Sequence, residues 1–158
     1  MRKALDIAAL LLLVLLWGMT AWAVFGPNRL PARIPTHFNA LGQADGWGTP
    51  GMLWLLAIVA AVIYALMTMV ARYPGAFHFP GRTSPGARHQ LERIALRMMG
   101  WLKAEVMGLF AWIQWETVRL ARSGEGTLPV LFLPGVLVVV FGTIAWHIAA
   151  MRRVGRGA

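Results

Sequence analysis

Residues 97–120 read RMMGWLKAEVMGLFAWIQWETVRL, a run with helical composition throughout and two charges inside it. At mid-membrane, each of Lys103 and Glu105 would cost about 2.5–3.5 kcal/mol on insertion scales. The two residues lie roughly 200° apart around a helix, so they cannot pair with each other. Lys103 shares its face with Met107, Phe110 and Gln114, whereas Glu105 shares one with Leu109, Trp112 and Glu116. Such a segment either spans inside a bundle that shelters both charges or lies flat on the surface. Spanning is the expectation, because a flat helix would weaken the charge asymmetry described below.

The rest of the composition sets the class. The chain has 158 residues, is 58% hydrophobic and only 13% charged, and has a mean hydropathy of +0.61. Soluble domains usually carry about a quarter charged residues. A chain this poor in charge belongs with membrane proteins. It has no cysteine, so disulfides, thiolate metal sites and a cysteine nucleophile are excluded. The net charge of +9 flanks apolar spans and forms no stripe interleaved with aromatics. Attraction to anionic lipid and control of topology explain it better than nucleic acid does, and no nucleic-acid partner is expected.

Three further spans frame the ambiguous one. Residues 4–25 (ALDIAALLLLVLLWGMTAWAVF) would extend roughly 33 Å as a helix, enough to cross a hydrocarbon core. Arg2, Lys3 and an Ala21-Trp22-Ala23 site also suggest a signal peptide. The apolar run is long for that, and Trp22 is bulky beside the cut, so an uncleaved anchor is expected. Residues 52–71 carry no charge, and residues 128–151 are as plainly apolar. In the last span, Pro134 is expected to kink the helix or start its regular part, and His147 to sit as an interfacial residue. The expected fold is an all-α integral membrane domain over 1–158. Its four transmembrane helices cover about 4–25, 52–71, 97–120 and 128–151, with an extracytoplasmic loop at 26–51 and a cytoplasmic loop at 72–96.

With the N-terminus inside, ten basic residues fall on the cytoplasmic side (Arg2, Lys3, Arg72, Arg82, Arg88, Arg93, Arg97, Arg152, Arg153, Arg156). Four fall outside (Arg29, Arg33, Arg119, Arg122). The positive-inside rule then places both termini in the cytoplasm. Trp22, Trp47, Trp54, Trp112 and Trp115 fall toward the outer face, as interfacial anchors do.

The loop at 30–50, LPARIPTHFNALGQADGWGTP, is polar and rich in proline and glycine. Pro31 and Pro35 favour extended backbone at its start. Asn39-Ala40-Leu41-Gly42 is a turn signal, and Asp45-Gly46 is a second one before Trp47. A short hairpin or double turn would bring His37, Asn39 and Asp45 near one another. These could form a ligand or metal site, but the spacing matches no usual metal motif. The plainer reading has Asn39 and Asp45 bonding their own turns and His37 bonding backbone. No metal or cofactor is expected, and no hydrolytic constellation is visible.

The pattern LPxxIPTHFNxxGxxDGWG after a first membrane helix resembles the bacterial SdpI-type, immunity protein-like membrane proteins, specifically their N-terminal domain of unknown function. Leu30, Pro31, Ile34, Pro35, His37, Phe38, Asn39, Gly42, Asp45 and Gly48 match the motif of that loop. Tyr73, Pro74, Pro80, Lys103 and Trp112-Ile113-Gln114 are similar to later features. The resemblance covers roughly residues 5–120. The chain departs from it in the Gly-, Pro- and Arg-rich segment 75–90 and in ending after four spans. It implies a non-enzymatic protein of the bacterial cytoplasmic (inner) membrane that gives immunity to a secreted peptide toxin, or senses envelope stress and signals to a cytoplasmic regulator. His37, Asn39 and Asp45, with Pro35, Gly42 and Trp47, are the candidate ligand-binding or loop-structuring residues. The competing class is a small transporter or ion-conducting protein using Lys103, Glu105 and Gln114, which would need a homo-oligomer to enclose a pathway. A structural subunit of a larger membrane complex is a further alternative.

Overall fold

The computed structural model describes residues 2–79, 84–124 and 126–156, without the side chain of Arg156. Arg82 and Pro80, named above, lie outside the described residues. The order of elements is α1 (Arg2–Phe25), β1 (Ile34–Phe38), β2 (Ala44–Gly48), α2 (Leu53–Val70), α3 (Pro85–Ser123) and α4 (Phe132–Arg156). Single 3-10 turns occur at Pro50–Met52 and Pro74–Ala76. The fold is therefore a four-helix bundle with one small hairpin. The helices Arg2–Phe25, Pro50–Val70 and Phe132–Gly155 are long and apolar enough to cross a membrane, with hydropathies of 2.3, 2.5 and 2.0. The architecture is that of a membrane protein.

Helix α3 is less apolar, and its position explains why. It packs against α1, α2 and α4. Lys103, Met107, Ala111, Gln114 and Val118 are buried at three- and four-residue intervals along one stripe, the spacing of a single helical face. Around Met107 and Ala111 the core is completed by Ala9 and Leu16 of α1 and Ala57 and Ala60 of α2. Alanines at these positions let the helices approach closely, as packing between membrane helices requires.

One expectation about boundaries is corrected. The segment 72–96 was expected to be a loop, yet α3 begins at Pro85. Ser84 caps it, its hydroxyl accepting from the Ala87 amide at 3.3 Å, and Pro85 occupies the first turn where no amide is needed. Ala87, Leu91 and Ala95 then continue the buried stripe. At 39 residues, α3 is roughly 58 Å long, nearly twice a hydrocarbon core. The helix ends at Gly124, whose left-handed φ of 70° closes the last turn. Of the two outcomes expected for Pro134, the structure shows the second: α4 starts at Phe132 and Pro134 lies in its first turn, where a missing amide costs nothing.

Helix α4 is held differently from the rest. It packs chiefly on α3, and Leu133, Leu137, Val138 and Phe141 stand exposed along its outer side. Trp112 of α3 stacks on Phe132 at the start of α4, with ring centroids 3.7 Å apart.

Candidate functional site: an end-cap hairpin and a polar third helix

The hairpin lies at the end of the bundle where α1 and α3 finish. Strands β1 and β2 pair antiparallel, with Ile34 opposite Gly48 and His37 opposite Gly46, and the register is irregular around His37. Ile34 is fully buried and fills the bundle end between Ala23, Leu53, Val118 and Ala121. Burying an isoleucine side chain contributes about 1.5–3 kcal/mol, so this one residue anchors the cap. A second attachment lies at the tip. Gly42 has φ 77°, and its carbonyl accepts from the Leu128 amide at 2.8 Å in the α3–α4 connection. A Cβ on Gly42 would stand 2.3 Å from the Leu128 carbonyl oxygen, so both backbone angle and space demand glycine there.

The hairpin separates the predicted polar residues into two roles. Asn39 structures its own turn, its side-chain oxygen accepting from the amides of Leu41 at 2.9 Å and Gln43 at 3.0 Å, which is an Asx turn. His37 and Asp45 instead meet each other, with Nδ1 donating to Oδ1 at 2.5 Å. Their side chains are 73% and 45% exposed, so the pair is presented outward. Asp45-Gly46 was expected to form a turn and lies within β2. Strand pairing with the Pro35–His37 segment satisfies that backbone in place of a local turn. Pro35 is buried beneath the cap, and Trp47 is half-exposed, with the Arg33 guanidinium 6.0 Å from its ring. A cleft of about 210 Å³ between hairpin and α3 is lined by Pro31, Arg33, Phe38, Trp47, Leu120 and Gly126. Among the described residues, no group of three His, Cys, Asp or Glu side chains is placed to hold a metal ion.

The polar residues near the middle of α3 and beyond fall on two sides of that helix. Lys103 is 2% exposed and points at α1 and α2. Its ammonium donates to Asp6 Oδ1 at 2.5 Å and Thr68 Oγ1 at 3.3 Å, and stands 5.0 Å from the Tyr64 ring centroid. A charge, a hydroxyl and an aromatic face together compensate a buried cation. Gln114 lies three turns farther along. Its Nε2 donates to Thr20 Oγ1 at 2.6 Å and toward the Leu53 carbonyl at 3.4 Å, and the Thr20 hydroxyl donates to Leu16 O at 2.8 Å. Glu116 pairs within α3 to Arg119.

Glu105 turns the other way, toward α4. Oε1 accepts from the Thr143 hydroxyl at 2.5 Å. Oε2 is buried and has no partner among the described residues. His147 is buried against the bundle; its Nδ1 donates to the Thr143 carbonyl one turn earlier at 2.8 Å. That bond and the cover of α3 make its burial tolerable. Glu105 lines two cavities on the α3–α4 seam. One, of about 490 Å³, is also lined by Arg97, Trp101, Thr143, Trp146 and His147. The other, of about 390 Å³, is lined by Gly108, Leu109, Trp112, Gly135, Val136 and Val139 and is almost wholly apolar.

Sequence reasoning named Lys103, Glu105 and Gln114 but not what they bond. Asp6, Thr20, Thr68 and Thr143 went unnoticed, being single polar residues in strongly apolar spans. Asp6 carried a usable signal: an acidic residue inside the first span needs a basic partner, and Lys103 is the one lysine inside a span.

The comparisons add one match. The family described as a domain of unknown function (DUF1648) matches residues 9–61, the stretch from α1 through the hairpin into α2. No curated protein and no solved structure matches the chain.

Proposed function

We propose that the chain is a non-enzymatic module of the bacterial cytoplasmic membrane, with both termini inside, that meets an extracellular peptide or envelope stress through its hairpin. The reading follows the SdpI-like pattern of the loop, in which immunity or sensing is the implied role. The observation that carries it is the attachment of the hairpin. Ile34 is sunk among three helices, Gly42 is tied to Leu128, and the exposed His37–Asp45 pair stands on that rigid base. A ligand seated on the pair bears directly on the ends of α1, α2 and α3, a contiguous route to the cytoplasmic side.

The test is growth of a toxin-sensitive bacterial host challenged with secreted peptide toxins and envelope stresses. Cells making the wild-type protein are compared with cells making His37→Ala or Asp45→Ala at matched membrane levels. Protection by the wild type alone is expected. Full protection by both variants would reduce the pair to a structural role, and none from any form would remove the reading. A second reading, a small transporter, is favoured by the unpartnered oxygen of Glu105. Flux in proteoliposomes that survives Lys103→Met with Glu105→Gln would exclude it.

A further inference from the structure

The two ionisable residues near the middle of α3 are compensated to very different extents. Lys103 has a carboxylate, a hydroxyl and an aromatic face around it. Glu105 has one hydroxyl on one oxygen and, among the described residues, nothing on the other. A carboxylate in an apolar slab needs a counter-charge or several donors. Among the described residues, no cation pairs with it. Arg97 lies eight positions earlier on α3 and thus roughly 12 Å away along the helix.

We infer that the α3–α4 seam is a binding site for a lipophilic cation, with Glu105 as its counter-ion. The shape of the seam supports this chemistry. On the hairpin side of Glu105 the cavity of about 390 Å³ is walled by Leu109, Trp112, Val136 and Val139, which suits an apolar body. Gly135 leaves the wall open: a Cβ there would meet nothing within 4 Å. Helix α4 is only 6% buried over its span, so the seam opens sideways toward lipid, the phase in which such a cation concentrates. Arg97 and His147 line only the other cavity, so an occupant entering from lipid reaches Glu105 without passing a like charge. The site is distinct from the hairpin and does not depend on the reading proposed for it.

The experiment is equilibrium dialysis of radiolabelled tetraphenylphosphonium against the purified full-length protein in maltoside micelles. Saturable binding by the wild type is expected, weakened at least about tenfold, or 1.4 kcal/mol, by Glu105→Gln and unchanged by Glu116→Gln, whose carboxylate is paired at the hairpin end. Gly135→Leu keeps Glu105 and fills the crevice, so it should weaken binding to a similar degree. It carries the test if the glutamine variant fails to fold. Absence of saturable binding by the wild type overturns the inference, as does undiminished binding by both variants. Equally tight binding of the neutral triphenylphosphine oxide would also overturn it, since the crevice would then select shape without charge.

Discussion

The two flanks of α3 solve the problem of polar groups in an apolar setting in opposite ways. Toward α1 and α2 the interface is closed: alanines bring the helices together, and Lys103 and Gln114 find partners on neighbouring helices. Toward α4 it is loose, with cavities of about 490 and 390 Å³ and a carboxyl oxygen left alone. A closed, well-packed face specifies the fold. An open face with an uncompensated carboxylate oxygen is where a ligand can be accommodated, because space and an ionisable group coincide there. The Gln114 Oε1, also without a partner among the described residues, is by contrast a neutral acceptor in a packed interface.

The contrast can be broken hardest at Asp6. Asp6→Asn leaves the fully enclosed Lys103 ammonium without its counter-charge and should cost about 3–5 kcal/mol, read as a large fall in thermal midpoint in micelles. Lys103→Met should cost less, since the Asp6 side chain is 37% exposed and keeps Arg2 at 3.8 Å. Combining the two should recover part of the loss. If the two single variants melt alike, the pair is not asymmetric in this way.

A second contrast sets one glycine against another. A Cβ at Gly100 would lie 3.3 Å from Leu5 Cδ1, while one at Gly142 would meet nothing within 4 Å. Gly100→Leu should therefore destabilise by about 1–3 kcal/mol through overpacking, and Gly142→Leu should stay within about 0.5 kcal/mol of wild type. Equal melting of the two would deny that the α4 side is the looser one.

Glu105→Gln should change stability by no more than about 1 kcal/mol, because a carboxamide oxygen still accepts from Thr143 and no ion pair is lost. A drop as large as that of Asp6→Asn would reveal a cationic partner within the fold. The smallest effect is expected at the cap. His37→Ala removes an exposed pair and should cost under about 1 kcal/mol, so any loss of protection by this variant would reflect recognition and not unfolding.

How far the sequence carried the reading differs from element to element. Four helices and a hairpin after the first were legible, because apolar run length, proline placement and the Asn39–Gly42 turn are local signals. The start of α3 at Pro85 was not: its first three turns are polar enough to look like loop until Ala87, Leu91 and Ala95 are seen to continue a buried stripe. Asp45-Gly46 likewise reads as a turn in isolation and is drawn into β2 by pairing.

The sequence by itself determined the membrane class, the number of helices and the fact that two charges on α3 face opposite ways, since these follow from composition and helical geometry. Tertiary structure alone decided which charge is satisfied. Asp6 and Lys103 are separated by almost a hundred residues, as are Thr20 and Gln114, and only packing of α1 against α3 brings them within bonding distance. The same packing leaves Glu105 on the flank where α4 provides one hydroxyl and open space.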